Sequence, residues 1–168
     1  MEFLKGLTDF FFSGQVLAFL GASLAAGMAG FGSAKGVGLA GEAAAGIMSE
    51  KPELFGKLLI LQALPGTQGI YGLLVWFIVM VKAGFLNGTS GALTPLLGMQ
   101  FFAACIPVMI VEYTSAIYQG RVAANGMMML AKQPGEQSKA IVLAAMVETY
   151  AILALLASML MILLGIKV

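Results

Sequence analysis

Two polar islands stand inside long apolar runs of this chain. One is Leu64-Pro65-Gly66-Thr67-Gln68-Gly69-Ile70-Tyr71; the other is Glu148 within Met146-Val147-Glu148-Thr149-Tyr150. Leu64, Thr67, Gln68 and Tyr71 follow the spacing i, i+3, i+4, i+7 and so share one helix face. That face offers a hydroxyl, an amide and a phenol. Glu148 is the only charge between Ala140 and Ile166. A carboxylate at such depth costs roughly 2.5–3.5 kcal/mol on insertion scales, so it calls for a partner. The pattern implies a cation held between the two segments. Oxygen ligands with a single carboxylate suit a hard monovalent cation, because the loaded site is neutral and tolerates lipid. A divalent ion usually asks for more carboxylates. That leaves Na⁺ or H⁺. A proton needs only the Glu and an acceptor, so the extra hydroxyl and amide oxygens favour Na⁺.

Composition says what must position these groups. The 168 residues are 60% hydrophobic and 10% charged, against about a quarter charged in a soluble domain. The chain therefore reads as an integral membrane protein. Nine Lys and Arg, scattered, are too few for a nucleic-acid surface. With no His, the commonest transition-metal ligand and the usual catalytic base are missing. The lone Cys105 reads as packing. The N-terminus, Met1-Glu2-Phe3-Leu4-Lys5, leads into an apolar run from Phe10 to about Ala34, which reads as a retained spanning segment and not as a cleaved leader.

A spanning helix needs about 20 apolar residues. Four candidates fit, at roughly 11–47, 55–81, 93–130 and 138–166. Short polar turns at Ser49-Glu50-Lys51-Pro52-Glu53 and Lys132-Gln133-Pro134-Gly135-Glu136 join the first pair and the last pair. The middle connection, Lys82 to about Thr94, is longer. The predicted fold is thus all-α: two helical hairpins, 1–84 and 85–168, the second carrying the carboxylate. An offset of 82 residues places Pro52 on Pro134, Lys57 on Lys139, Leu61 on Leu143, Thr67 on Thr149 and Ile70 on Ile152, the mark of a tandem duplication. At that offset Glu148 falls on Gly66, so one of the two hairpins lacks the acid.

Depth joins the candidates. Glu148 lies 14 residues after Pro134 and Gln119 lies 15 before it; Thr67 and Gln68 lie 15 and 16 after Pro52. At about 1.5 Å per residue, all four stand at one level, roughly 20 Å from the turns. Pro65, which cannot donate to the carbonyl of Leu61, loosens the backbone there. Irregular backbone beside an ion is a recurrent device in membrane sites. Six basic residues on the side of the tight turns (Lys35, Lys51, Lys57, Arg121, Lys132 and Lys139) against Lys5, Lys82 and Lys167 predict cytoplasmic turns and outer termini.

Other motifs read as packing. Gly36-Val37-Gly38-Leu39-Ala40-Gly41 fits G-x-G-x-x-G but has no strand before it, and with Gly27, Gly30 and Gly32 it strips side-chain volume from the first helix. Met127-Met128-Met129 is soft packing, and Glu42, nearer the cytoplasmic end, is snorkelling or paired. Glu112 is harder to place. It precedes Gln119 by seven, on the same face but about 10 Å toward the outer side, and could pair with Lys82, line an aqueous exit, or face a lipid-filled centre in protonated form.

Four stretches together resemble the proteolipid rotor subunit of V-type rotary ATPases, above all the Na⁺-translocating bacterial form. They are Gly32-Ser33-Ala34-Lys35-Gly36-Val37-Gly38, the segment Leu59 to Gly72, Gln119-Gly120-Arg121-Val122-Ala123-Ala124, and Ala144 to Leu153. The resemblance implies four helices from a duplicated hairpin, with identical subunits assembled in a rotor ring. It also implies a stator membrane subunit, central-stalk subunits at the hairpin turns, surrounding lipids, and a bacterial plasma membrane. It implies further that Na⁺ is held by the Leu64 carbonyl, Thr67, Gln68, Gln119 and Glu148, with Tyr71 hydrogen-bonding the carboxylate. Glu112 and the long middle loop depart from the family pattern. No G-x-x-x-x-G-K-[ST] is present, so no ATP is hydrolysed by this motif here and the energy arrives by rotation. Alternatives are the same rotor carrying H⁺, a small four-helix transporter exchanging protons for a cation, and a purely structural scaffold.

Overall fold

A computed structural model of the protein describes residues 1–167. It is helical throughout: α1 (Glu2–Phe11), α2 (Gly14–Met48), α3 (Phe55–Ala63), α4 (Thr67–Lys82), α5 (Pro95–Lys132) and α6 (Gln137–Leu160). The membrane-length spans run Gly14–Met48, Pro52–Lys82, Pro95–Lys132 and Gln137–Gly165, within a few residues of the ranges read from sequence.

The exception is the start. Phe10 and Phe11, at the start of the apolar run, belong to a separate helix, α1, none of whose residues is buried, and the span itself begins at Gly14. The break has a local cause. Ser13 is extended (φ −65°, ψ 147°) and its hydroxyl accepts from the Val16 N–H at 3.3 Å, so it caps α2 and ends α1. Thr94 does the same for α5, accepting from Leu97 N–H at 3.3 Å with Pro95 in the first turn. Pro52 and Pro134 sit in the two tight turns, where a helix cannot run through. Gly84 and Gly88 turn the middle loop with φ of 77° and 76°, open to glycine without strain.

α2 and α5 form the centre, packed side by side and pointing the same way. Gly98 approaches the backbone of Gly14, and Gly120 that of Gly36. Lipid tails are as apolar as Leu, so close van der Waals contact between backbones is what holds such helices. The expected thinning of the first helix is therefore real but divided. Gly32 and Gly36 press on Tyr113 and Ala116 of α5, whereas Gly27, Gly30 and Gly38 face open space in the single chain. The hairpin partners α3–α4 and α6 flank this pair.

Two apolar cores result. One gathers Ala18, Ala22, Val75, Val79, Phe101, Val108 and Ile162; the other, toward the tight turns, gathers Ala40, Leu58, Leu61, Ala123, Met127 and Leu130. Between them lies a belt of buried polar side chains: Ser33, Gln68, Glu112, Ser115 and Gln119. Lysines tie the hairpins at both ends. Lys51 and Lys57 donate to the carbonyls of Ala131 and Pro134, and Lys82 to those of Ile162 and Leu163 at 2.6 and 2.7 Å. Cys105 and Met127 are buried as packing residues.

Candidate ion-binding site

The site is built where α3 breaks into α4. Pro65 withdraws one backbone donor, and Leu64–Gly66 tightens into a 3₁₀ turn before the helix resumes at Thr67. The turn leaves the Leu64 carbonyl to the Thr67 hydroxyl, 3.0 Å away, which also lies 3.4 Å from Gln68 Oε1. Just after it, the Gly69 N–H donates across to Ser33 Oγ of α2 at 2.7 Å. The irregular backbone expected at the proline is thus present, and pinned from the neighbouring helix.

From there a chain of hydrogen bonds crosses three helices. Gln68 Nε2 of α4 donates to Gln119 Oε1 of α5 at 2.5 Å, and Gln119 Nε2 donates to Glu148 Oε2 of α6 at 3.3 Å. The Tyr71 hydroxyl closes the circuit on Glu148 Oε1 at 2.8 Å. Gln68 and Gln119 are fully buried; Leu64, Thr67, Tyr71 and Glu148 are half-buried. All six residues singled out by depth and face therefore meet in one network. Among the described residues no Lys or Arg comes within ion-pair distance of Glu148. The carboxylate is answered only by neutral donors, while the Leu64, Thr67 and Gln68 oxygens lie together at the turn that opens α4. Such a cluster can exchange N–H and O–H donors for a small cation without a net charge remaining.

Two members escaped the sequence. Ser115 lies 3.4 Å from Gln68 Nε2 and donates to the Val147 carbonyl at 3.2 Å, bracing α4 and α6 against α5. Its spacing of four before Gln119 was the available signal. Ser33 stood in the Gly32–Gly38 stretch that carries the family resemblance, but with no role assigned to its hydroxyl.

Glu112 sits in none of the three places expected for it. It is fully buried inside the chain, so it faces no lipid-filled centre and lines no open exit. Lys82 is engaged by the Ile162 and Leu163 carbonyls and does not reach it. Glu42 is exposed and forms no ion pair among the described residues. The Gly36–Gly41 motif lies within α2, where a Cβ on Gly36 would meet the Ala116 carbonyl and Pro65; it is a packing surface.

The family model for the C subunit of ATP synthase matches twice, at residues 20–79 and 102–161, the two copies starting 82 residues apart. The chain belongs to the ATP synthase C-subunit family. This member is 45% identical over 150 residues to the V-type sodium ATPase subunit K of Enterococcus hirae, covering 89% of this chain and 92% of that one. It is 36% identical over 150 residues to the A-type ATP synthase subunit K of Methanocaldococcus jannaschii, spanning 87% of this chain and 61% of that protein. The twofold match agrees with the duplicated hairpin and the four apolar spans, so this family member is a multi-pass integral membrane protein. The family is that of the ring-forming components of rotary ATPases, so the protein assembles as an oligomeric ring.

Proposed function

We propose that this protein carries Na⁺ across the membrane on Glu148 as the rotor ring of a V-type ATPase turns. The observation that carries the reading is the geometry of Glu148. It is a lone acid at mid-span, without a basic partner among the described residues, joined through Tyr71 and Gln119 to a cluster of neutral oxygens. The ligands are the Leu64 carbonyl, Thr67 Oγ1, Gln68 Oε1, Gln119 Oε1 and the Glu148 carboxylate. Gln119 now presents its N–H₂ to Glu148, so its oxygen joins the ion only when the amide turns and gives up its bond from Gln68 Nε2. Among the described residues no three His, Cys, Asp or Glu side chains group together, which suits a monovalent ion and not a divalent one. The name of the Enterococcus relative supports sodium over protons.

The loaded site is neutral, so it passes through the lipid-facing arc of the ring at little cost. At the stator membrane subunit, an opposing positive charge pairs with the freed carboxylate and favours release. The hairpin turns face the cytoplasm and meet the central stalk, and both ends of the chain lie outside the cell membrane of a bacterium. Residues 1–84 and 85–168 are the two copies of the ancestral hairpin, only the second of which kept its acid.

The reading is tested with a carbodiimide directed at carboxyl groups. Sodium is expected to protect Glu148 from modification, with potassium as the control. Equal labelling in both salts removes sodium as the cargo and leaves the proton-carrying rotor. A companion experiment probes Tyr71, whose hydroxyl holds one carboxylate oxygen at 2.8 Å. Hydrogen bonds that orient an ion's ligands are worth about 10- to 100-fold in affinity. Tyr71→Phe is accordingly expected to weaken sodium binding by about tenfold, measured with radioactive sodium on the purified ring. An unchanged affinity would show that the phenol only fills space.

A further inference from the structure

We propose that Glu112 is a proton-binding carboxyl distinct from the sodium site, holding a resident proton in the buried belt two turns of α5 away from Gln119. The inference goes beyond the sodium reading, because Glu112 is none of the ligands proposed for Na⁺. Its side chain is 0% exposed, and neither carboxylate oxygen has a hydrogen-bond partner among the described residues. On α5 it precedes Ser115 by three and Gln119 by seven, on the face that meets α4 and α6. An ionised carboxylate left unpaired there carries a desolvation cost that nothing offsets.

Three things could neutralise it. A basic side chain is not in reach: among the described residues none forms an ion pair with it, and Lys82 is taken by backbone carbonyls. A sodium ion needs a shell of oxygens like the one around Glu148, and among the described residues no hydroxyl or amide group hydrogen-bonds to either Glu112 oxygen. A proton needs a single lone pair. The titratable groups near enough to interact electrostatically with Glu112 are Tyr71 on α4 and Glu148 on α6. α2 packs on this stretch of α5 with Gly32 and Gly36, which carry none.

The resident proton keeps a second negative charge away from Glu148. Gln119 touches Glu148 and lies seven residues, about 10 Å, from Glu112. Taking that rise of about 10 Å as the separation from the site, one charge at an effective dielectric constant of about 20 changes the affinity for a monovalent cation about tenfold. Loss of the proton therefore tightens the sodium site by about that factor. This effect rests on the sodium reading, whereas the protonation itself does not.

Infrared difference spectra of the sodium-saturated wild-type and Glu112→Gln rings at pH 7 test it. The wild type is expected to show a protonated-carboxyl C=O band that E112Q lacks, with one sodium counted per protomer. A difference made of carboxylate bands, or two sodium ions per protomer, overturns the proposal. Should E112Q not assemble, Glu112→Asp takes its place, shifting the band instead of removing it. On raising the pH, disappearance of the band must coincide with the roughly tenfold tightening of sodium binding. A band that persists marks a permanently held proton, and one that disappears with affinity unchanged overturns the coupling. Carbodiimide protection of Glu148, measured on the same ring, reports separately on whether sodium is the cargo.

Discussion

A ring built from the Glu148→Gln variant is expected to bind no measurable sodium, and the assembled ATPase to lose sodium transport. The substitution keeps the shape of the side chain. An amide oxygen can still accept from the Tyr71 hydroxyl, and Gln119 still has a polar neighbour in place of the carboxylate contacts at 2.8 and 3.3 Å. What disappears is the negative charge. Breaking a buried ion pair by removing one partner costs about 3–5 kcal/mol, which exceeds a hundredfold in affinity. The neutral oxygens of Leu64, Thr67, Gln68 and Gln119 cannot hold a dehydrated cation against that loss. Because the variant is isosteric, the ring should assemble, so the loss reports on charge and not on folding. Radioactive sodium binding to the purified ring decides the matter, with ring mass as the check on assembly. Transport that survives in E148Q would return the protein to a structural scaffold and leave the ion path elsewhere.

The second large effect is expected at Gly36. A Cβ there would collide with the Ala116 carbonyl and stand 2.8 Å from Pro65 Cβ, while a Cβ on the facing Gly120 would stand 2.5 Å from Gly36 Cα. These neighbours are mostly backbone, which cannot swing aside as a long side chain can. Gly36→Val must part α2 from α5, and overpacking of a rigid contact costs about 1–3 kcal/mol or more. The strain also reaches the site, since Pro65 sets the turn that presents Leu64 and Thr67. We expect the thermal midpoint of the ring to fall by several degrees or the ring not to assemble, and residual sodium affinity to drop with it. Gly135→Ala, in a turn where a Cβ meets nothing within 4 Å, serves as the control and should leave both unchanged. A Gly36→Val ring with the wild-type midpoint would show that the two helices are not held by their closest approach.

Sequence alone determined the number of spans, the duplicated hairpin and the height of each polar group along its span. The reason is that lipid offers no hydrogen bonds, so each segment must be a self-satisfied rod on which residue number converts directly to depth. Thr67, Gln68, Gln119 and Glu148 could therefore be placed at one level before any contact was known. The helix break at Ser13 was also written locally, in a capping hydroxyl, although the apolar run from Phe10 masked it.

What only the tertiary structure decided is azimuth: which face of each rod meets which neighbour. That depends on where backbones can approach, as at the Gly14–Gly98 and Gly36–Gly120 contacts, and no single helix encodes it. The same packing turned Glu112 inward, away from Lys82, and gave Lys82 instead to the Ile162 and Leu163 carbonyls just beyond α6. It also drew Ser33 and Ser115 into the polar belt. Depth is a property of one helix, and facing is a property of the bundle.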